Sequence, residues 1–402
     1  MNILFLSMLK ITSLDQRGIY TDLLREFVKN KDNVYIVSPS ERREKKVTKI
    51  IKEKRVTILR VNTLNLQKAS LIEKGIGQLI LEKQFLREVK SNFKKVKFDL
   101  VLYSTPPITF SNVVSYIKKR DNAYSYLLLK DIFPQNAVDL KMIKRGGILH
   151  RFFLKKEKNL YENSDKIGCM SPANLNYVLK HNQWLSKDKV EINPNTIAPI
   201  TIEYSSEEKI EVREKYNIPC GKKVFVYGGN LGKPQGVDFL LSIIENCKNP
   251  DAFFLIVGSG TEFIKIKQWF ETKRPRNAKL LSALCKEDYD KLLASCDIGM
   301  IFLHKDFTIP NFPSRLLSYL EMGFPIFAAT DLATDLGEIV EKEKCGFWVE
   351  SGNLNKALKK INEFIHDDRL LEEMKEKSKA LLEKEYMVEK TYKLISNAIN
   401  YV

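Results

Sequence analysis

Short apolar runs alternate along this chain with longer segments in which apolar residues recur every three or four positions. The short runs occupy Ile3–Leu6, Val34–Ser38, Val56–Val61, Leu100–Tyr103, Tyr126–Leu129, Ile167–Met170, Lys223–Tyr227, Phe253–Val257, Ile298–Phe302, Ile326–Ala329 and Phe347–Val349. The longer segments between them include Ile19–Lys29, Ile72–Phe93, Ile148–Tyr161, Val237–Asn246 and Ser314–Met322. Strands that alternate with helices in this way predict an α/β protein, with parallel sheets that helices cover on both faces.

The alternation is interrupted once, at Asn193–Pro199, where turn-forming residues are concentrated. A chain of 402 residues is longer than one core usually holds. We therefore predict two doubly wound domains, at residues 1–195 and 196–375, with ligands bound in a shared cleft at the loops that follow the strands. Two other segments are predicted separately: Glu41–Arg55 as an exposed loop or helix, and Asp367–Val402 as helical throughout.

Neither a membrane span nor a metal-binding cysteine motif is apparent. No apolar run reaches the length of about 18 residues that a transmembrane helix needs. The first run, Asn2–Leu9, has no basic leader or cleavage site, so we interpret it as a strand and not as a signal peptide. The six cysteines form no Cys-x-x-Cys pair, and no His lies at metal-ligand spacing from them. This usage favours buried thiols in a reduced cytoplasm.

The net charge of +16 is unevenly distributed. Residues 1–190 carry +19, from 37 Lys and Arg against 18 Asp and Glu, whereas residues 191–402 carry −3, from 29 against 32. A basic first domain is expected to face an anionic partner, such as phospholipid head groups, a pyrophosphate-linked lipid or nucleic acid. A solvated lysine-rich surface is the alternative. No RNA- or DNA-binding motif accompanies the charge, so we do not expect nucleic acid as a partner.

The segment Lys141–Lys158 combines positive charge with apolar residues. It contains six Lys or Arg before Glu157, and its apolar residues include Ile148, Leu149, Phe152, Phe153 and Leu154. Helices of this composition can lie on anionic membrane surfaces. We expect the apolar side chains to pack against the sheet and the charges to be attracted to a membrane.

The loop after the first strand of the second half is rich in glycine. Four of the nine residues Gly228–Gly236 are Gly, which lets the backbone approach a phosphate without Cβ clashes. The helix that follows offers free N–H groups and a positive dipole end. The neighbouring strand ends in Gly258-Ser259-Gly260, at the equivalent place. These loops are candidate phosphate-binding elements, and tight turns without a ligand are the alternative.

A third candidate element begins at Pro313-Ser314-Arg315. Proline favours the first turn of a helix and serine can cap it. Arg315 then lies beside the helix N-terminus, where a cation is unfavourable unless an anion is close. A diphosphate would supply that anion. An Arg that extends to water is the alternative.

In order and spacing, these motifs resemble family 4 of the glycosyltransferases, which have the GT-B fold. The match covers most of residues 190–350 and also includes Gly323-Phe324-Pro325-Ile326 and the stretch from Gly337-Glu338 to Cys345-Gly346-Phe347. The first half matches more loosely. There, Asp131-Ile132-Phe133-Pro134 resembles a signature of the capsule and O-antigen branch, which includes N-acetylfucosamine-type transferases.

The resemblance implies two Rossmann-like domains that face a cleft, with a C-terminal helix at residues 376–402 packed back on the first domain. It implies that the sugar donor contacts Gly229, Asn230, Lys233, Gly258, Ser259, Gly260, Pro313, Ser314, Arg315, Ser318 and Glu338.

The chain also departs from the family pattern. Ser318 replaces the Glu that holds the ribose hydroxyls, and Pro310 replaces its partner Glu. Asn230 and Gln235 occupy the places of an Arg and a Lys in the glycine loop. Lys233 and Arg315 are candidates to replace those charges.

Three residues of the first half are candidates for catalysis. Gly18 takes the place of a family glycine loop near the transferred sugar, and Arg17 beside it is a candidate phosphate contact. Asp131 directly follows the strand Tyr126–Leu129, so its carboxylate is expected to orient the acceptor hydroxyl or stabilise an oxocarbenium-like centre. An ordinary helix-start turn at Gly18, and an Asp that caps the turn Phe133–Val138, are the alternatives.

The resemblance implies a retaining transferase that moves a sugar from a UDP-sugar to a lipid-linked or glycan acceptor for a bacterial surface polysaccharide. It implies no metal or other cofactor, and we interpret Asp288-Tyr289-Asp290 as part of a helix and not as a metal motif. The protein is expected to be cytoplasmic, at the inner face of the cytoplasmic membrane.

Other functions remain open. The missing Glu at Ser318 fits a non-catalytic scaffold of a polysaccharide complex. A sugar-nucleotide epimerase or an NAD-linked oxidoreductase is disfavoured because no Gly-x-Gly-x-x-Gly fingerprint opens either half.

Overall fold

Parallel strands and helices alternate along both halves of the chain, as the hydrophobic pattern predicts. The computed structural model describes residues 1–66, 71–200 and 204–400. The chain forms two compact units, Met1–Ala198 with Met387–Val402, and Pro199–Tyr386.

The first unit is built on an eight-stranded sheet in the order β3-β4-β2-β1-β5-β6-β7-β8. Its strands are β1 (Asn2–Leu6), β2 (Asn33–Glu41), β3 (Lys49–Glu53), β4 (Val56–Thr63), β5 (Leu100–Ser104), β6 (Tyr124–Leu129), β7 (Lys166–Cys169) and β8 (Val190–Ile192). Its helices up to the boundary are α1 (Ile19–Lys29), α2 (Leu71–Asn92), α3 (Ser111–Asp121), α4 (Gln135–Asp139), α5 (Ile148–Asn163) and α6 (Pro172–His181). The central strands are mostly apolar and almost wholly buried, as expected of a sheet with helices on both faces.

The segment Glu41–Arg55 differs from the prediction of a loop or helix. It contains a short 3₁₀ turn at Arg42–Glu44 and then β3, which pairs antiparallel with β4 at the edge of the sheet. The hydrophobic pattern missed this strand because only one face of an edge strand is covered. Its two lysines, Lys49 and Lys52, are exposed, as is common on sheet edges that must not pair with other chains.

The second unit is built on a six-stranded, all-parallel sheet in the order β11-β10-β9-β12-β13-β14. Its strands are β9 (Lys223–Asn230), β10 (Ala252–Ser259), β11 (Ala278–Ser282), β12 (Ile298–Phe302), β13 (Ile326–Thr330) and β14 (Gly346–Glu350). Its helices are α7 (Ser206–Lys215), α8 (Val237–Asn246), α9 (Phe263–Lys273), α10 (Lys286–Ala294), α11 (Arg315–Glu321), α12 (Leu336–Lys342), α13 (Leu354–His366) and α14 (Asp368–Glu385).

This strand order is that of the Rossmann fold, with its reversal point between β9 and β12. In such sheets a ligand binds in the crevice beyond the carboxyl ends of the two strands that flank this point. The loops after β9 and β12 are therefore where a nucleotide site is expected in this unit.

The C-terminal segment is not helical throughout. Helix α14 ends at Glu385, and α15 (Val388–Asn400) starts after a break in which Met387 forms a β-bridge with Ile197. Helix α14 belongs to the second unit and α15 to the first, where α15 packs on α1. The helix expected from residue 376 thus starts at Val388.

Candidate functional site

Two of the loops singled out in the sequence lie side by side in the second unit. The pairing of β9 with β10 brings Gly229 opposite Gly258, and Asn230 opposite Ser259. The amide of Leu231 donates to the carbonyl of Ser259 at 2.9 Å, which joins the two loops beyond the strands. Both glycine-containing motifs therefore lie at the carboxyl edge of the sheet, beside the reversal point.

Packing alone requires glycine at key positions of these loops. A Cβ on Gly258 would lie 1.9 Å from the carbonyl oxygen of Gly229, and a Cβ on Gly228 would lie 1.8 Å from the hydroxyl of Tyr289. Gly229 itself has a φ of 115°, which side chains rarely adopt. The density of glycine is thus explained by the fold, and it does not by itself indicate a phosphate.

Arg315 is the feature of this region that the fold does not explain. It is the first residue of α11, and its guanidinium lies 4.2 Å from the ring centre of Tyr227. Its Nη2 donates to Oε1 of Gln235 at 2.8 Å, whereas its Nη1 is buried and has no hydrogen-bond partner in the described part of the chain. A buried donor without a partner is costly, and more so on a charged group. The arrangement suits an anion that accepts from Nη1.

Three tyrosines surround the guanidinium. The hydroxyl of Tyr319 accepts from the amide of Gly228 at 3.2 Å and lies 3.1 Å from the carbonyl oxygen of Val226. Burial raises the pKa of Tyr319, of Tyr289 and of Tyr227, so all three phenols are neutral at physiological pH. The sequence reasoning missed these side chains. Tyr289 had a visible signal, since it is the middle residue of Asp288-Tyr289-Asp290.

The start of α11 differs from the expected cap. Ser314 occupies the N-cap position but is exposed and makes no capping hydrogen bond with its side chain. Its φ and ψ of −65° and −17° are already helical, and a capping side chain normally requires an extended residue at this place. Pro313 precedes the cap and is not in the first turn of the helix.

The remaining predicted donor contacts have varied surroundings. Ser318 is half-buried on α11, and Gly260 is exposed after β10. Asn230, Lys233, Ser259 and Glu338 are exposed, with Lys233 in a 3₁₀ turn and Glu338 in the first turn of α12. Glu321, one turn after Ser318, accepts from the amide of Ile200 at 2.9 Å, which commits one of its carboxylate oxygens to the backbone.

In the first unit, Asp131 lies in the loop that follows β6 and is half-buried. Both of its carboxylate oxygens accept from Nδ2 of Asn136, at 2.8 and 2.9 Å. The hydroxyl of Thr105, which follows β5, accepts from the amide of Asp131 and donates to its carbonyl, each at 3.0 Å. Burial raises the pKa of the Asp131 carboxyl to about 6, and the hydrogen bonds from Asn136 limit the rise.

Lys130 is next to Asp131 and has an unusual pKa of its own. Burial lowers the pKa of its ammonium group to about 7. Its Nζ donates to the carbonyl of Asn193 at 3.2 Å. A lysine with a pKa near 7 is neutral in a large fraction of molecules at physiological pH. The sequence reasoning did not single out Lys130.

Gly18 is the N-cap residue of α1 and is exposed. Its backbone φ of 168° is extended, and a Cβ there would lie 3.5 Å from Oγ1 of Thr21, an ordinary contact. The fold therefore does not require glycine at this position, in contrast to Gly228 and Gly258. Arg17 is half-buried immediately before it.

Within the ranges that the structure describes, no group of three or more His, Cys, Asp or Glu side chains could hold a metal ion. Asp288 and Asp290 lie on α10, as interpreted from the sequence, and have other partners. The thiol of Cys285 donates to Asp288, and the ammonium group of Lys286 donates to Asp290.

Comparison with known proteins identifies relatives for this architecture. Residues 208–381 match the family described as Glycosyl transferases group 1. The probable glycosyltransferase WbjE of Pseudomonas aeruginosa is 24% identical over 286 residues, which cover 70% of this chain and 69% of WbjE. The putative colanic acid biosynthesis glycosyl transferase WcaI of Escherichia coli (strain K12) is 19% identical over 251 residues, or 62% of this chain and 61% of WcaI.

The fold is shared with a solved structure over its whole length. Anabaena Alr3699/HepE in complex with UDP-glucose superposes with a TM-score of 0.71 at 14% identity, and the match covers 100% of both chains. The predicted fold class, α/β with two Rossmann-like domains of the GT-B type, is confirmed. The family match and the relatives support a glycosyltransferase of group 1.

Proposed function

We propose that this protein is a retaining glycosyltransferase of bacterial surface polysaccharide synthesis. It transfers a sugar, a HexNAc or a deoxy-HexNAc, from a UDP-sugar to a lipid-linked or glycan acceptor at the inner face of the cytoplasmic membrane. The group 1 match and the relatives WbjE and WcaI support the reaction class and the polysaccharide context. The UDP-glucose complex of HepE supports the donor class.

The observation that carries the proposal is the unpartnered guanidinium nitrogen of Arg315 beside the glycine loops. In the family, an Arg and a Lys of the loop neutralise the donor diphosphate, and here their places hold Asn230 and Gln235. Arg315 reaches Gln235 from α11 and so brings a cation to the place that the loop left neutral. The diphosphate accepts from Nη1 of Arg315, and the charge-assisted bonds stabilise it as leaving group.

The transfer step needs no nucleophile from the protein in this proposal. The bond between the anomeric carbon and the UDP oxygen breaks, and the acceptor oxygen bonds to the same face of the sugar. The acceptor proton passes to a phosphate oxygen of the departing UDP. Asp131 orients the acceptor hydroxyl, and Arg17 and the open position at Gly18 border the sugar. Arg315 takes the charge-neutralising role that a metal has in other transferases, so no metal or other cofactor is proposed.

The test is thermal stability against a panel of nucleotides and nucleotide sugars, with and without EDTA. A UDP-sugar at a hundredfold excess over its Kd is expected to stabilise the protein by about 2.7 kcal/mol, with or without EDTA. Arg315→Met is expected to weaken UDP-sugar binding about 10- to 100-fold, since one charge-assisted hydrogen bond is worth roughly 1.5–3 kcal/mol. Lys248→Met, which removes an exposed lysine just before β10, serves as the charge-matched control and is expected to bind normally.

A second variant, Gln235→Glu, keeps Arg315 but gives its guanidinium a competing carboxylate partner. A carboxylate at this position pairs with Arg315, so the variant is expected to fold at least as well as the parent but to bind the diphosphate more weakly. Binding of no nucleotide by the parent protein, or equal binding by Arg315→Met, would contradict the proposal. Binding without transfer or donor hydrolysis favours the scaffold function, which Ser318 in place of the usual Glu suggests.

A further inference from the structure

The first half of helix α5 and the loop before it expose apolar side chains to an unusual degree. Ile148 is 88% exposed, Leu149 61% and Phe152 40%, and Met142 in the preceding loop is 59% exposed. The hydrophobic pattern predicted that Ile148, Leu149, Phe152, Phe153 and Leu154 pack on the sheet. This prediction was wrong for all but Phe153, which is half-buried against the ring of Phe133. The apolar patch, as we name Ile148, Leu149 and Phe152, needs another explanation, because single exposed apolar residues are common but contiguous groups are not.

The inward face of α5 explains why these residues point outward. The helix buries His150, Glu157, Leu160 and Tyr161, which recur at helical spacing. Ile148 and Phe152, at positions i and i+4, lie on the opposite face. The buried polar groups have partners: Gly146 donates its amide to Nδ1 of His150, and Tyr161 donates to Glu157 at 2.9 Å. The helix thus buries polar groups that have partners, while apolar side chains of its first two turns are exposed.

Positive charge surrounds the apolar patch. Lys141, Lys144, Arg145, Arg151 and Lys155 are all exposed. None of these five lies within 4.0 Å of a carboxylate in the described part of the chain. Glu157 is the sole acidic residue of the segment Lys141–Lys158, and it is buried. We name these five cations the basic rim.

We propose that the apolar patch inserts into the surface of an anionic lipid bilayer while the basic rim contacts its phosphate groups. A partner protein with a polar surface would not bury the apolar patch. A neutral apolar partner would provide no negative groups for the basic rim. An anionic bilayer satisfies both, with apolar chains just below negative head groups. No helix in the described ranges is long and apolar enough to cross a membrane.

The inference extends the proposed function, since a lipid-linked acceptor lies at such a surface, but it can be tested without any transfer activity. The full chain is mixed with vesicles of phosphatidylcholine alone, or with about 30 mol% phosphatidylglycerol, and the bound fraction is measured by flotation. Binding to the anionic vesicles is expected to be at least tenfold tighter, and to weaken as salt is raised.

Paired variants separate the two parts of the surface. Ile148→Ser with Phe152→Ser is expected to lower the partition onto anionic vesicles at least tenfold at every salt concentration. Arg151→Gln with Lys155→Gln is expected to lower it about twentyfold at low salt and less at high salt, at roughly fivefold per charge. Val47→Ser is the control for the first pair, and Lys52→Gln with Lys54→Gln removes equal charge elsewhere in the first unit.

Insertion of the apolar patch into the bilayer is measured separately, by fluorescence. Phe152→Trp is expected to show an emission blue shift on anionic vesicles and quenching by lipids brominated in their acyl chains.

The inference is overturned if the Ile148/Phe152 variant partitions onto anionic vesicles like the parent, or if a control variant loses as much binding. It is also overturned if the patch forms a dimer, so that the parent sediments as a dimer, the serine variant as a monomer, and neither binds vesicles. The thermal stabilisation by UDP-sugar is expected to be the same in these variants as in the parent. If it is, a negative vesicle result contradicts the membrane inference alone and not the proposed transferase function.

Discussion

The protonation state of Asp131 affects both the stability of the first unit and the catalytic role proposed for this residue. Its folded pKa of about 6 lies above the ordinary value of 3.8, so the folded protein favours the neutral carboxyl. This contribution to stability is fully present below pH 4 and is lost as the pH rises through 6. At neutral pH the ionised carboxylate is therefore held at a cost in stability, which is common for residues that serve a reaction.

Asp131→Asn is expected to raise the free energy of unfolding by about 3 kcal/mol at pH 7.5 and by much less at pH 4, because about 1.4 kcal/mol accompanies each pKa unit. The same variant is expected to lose most transfer activity while it binds UDP-sugar normally. Urea denaturation at the two pH values, beside a transfer assay, provides the measurement. Asp251→Asn, at an exposed site, serves as the control. A gain in stability that is equal at both pH values would show that the Asp131 carboxyl does not titrate as stated.

The sequence singled out Arg315 by its position at a helix start, but the local structure expected there was wrong. A cation in the first turn of a helix predicted a nearby anion, whereas the capping role given to Ser314 does not occur. The partners of Arg315 could not be predicted, because Gln235 lies 80 positions away along the chain. Tyr227 was similarly hidden, since it looks like any other apolar strand residue until the fold brings it under the guanidinium.

At the scale of secondary-structure elements, the conformation of the two glycine loops requires β9 and β10 to approach each other closely. Gly258→Ala would put a Cβ 1.9 Å from a backbone oxygen of Gly229, and backbone cannot move aside as a flexible side chain can. We expect this variant to lose several kcal/mol of stability, roughly 3 or more, and to lose UDP-sugar binding with it. Gly221→Ala is the matched control, because a Cβ there meets nothing within 4 Å. Chemical denaturation of both variants checks the prediction, which fails if the two unfold alike.

Elements that the sequence pattern missed share one physical cause. Strands β3, β8 and β11, which the pattern did not predict, lie at the edges of their sheets, so each has one neighbouring strand and only weak apolar periodicity. The central strands were found because burial on both faces makes them continuously apolar. In α5 the pattern located the helix but assigned its apolar side chains to the core, since periodicity alone cannot tell an inward apolar stripe from an exposed one.

At the scale of the whole molecule, the C-terminal helix completes the first unit after the chain has built the second. Val388 and Ile395 of α15 are buried in the core of the first unit, and the ring of Tyr392 lies 5.0 Å from that of Phe27. Thr391 donates to Oδ1 of Asn193 at 2.8 Å, which joins the helix to the last strand's loop. The first unit is therefore expected to depend on residues that follow the second unit along the chain.

Ile395→Ala is expected to destabilise the first unit by about 2–5 kcal/mol, as for other fully buried Ile residues, and to leave the second unit unchanged. Hydrogen exchange measured by mass spectrometry resolves the two units: amides of β1, β5 and β6 are expected to exchange faster, and those of β9 and β10 at the parent rate. Lys393→Ala, at an exposed site of the same helix, is the control. Faster exchange in β9 and β10 as well would show that the units unfold together. If β1, β5 and β6 were unaffected, α15 would be a peripheral addition to a unit that is already stable. The expected result instead makes residues 387–402 a condition for folding the half of the protein that carries Asp131.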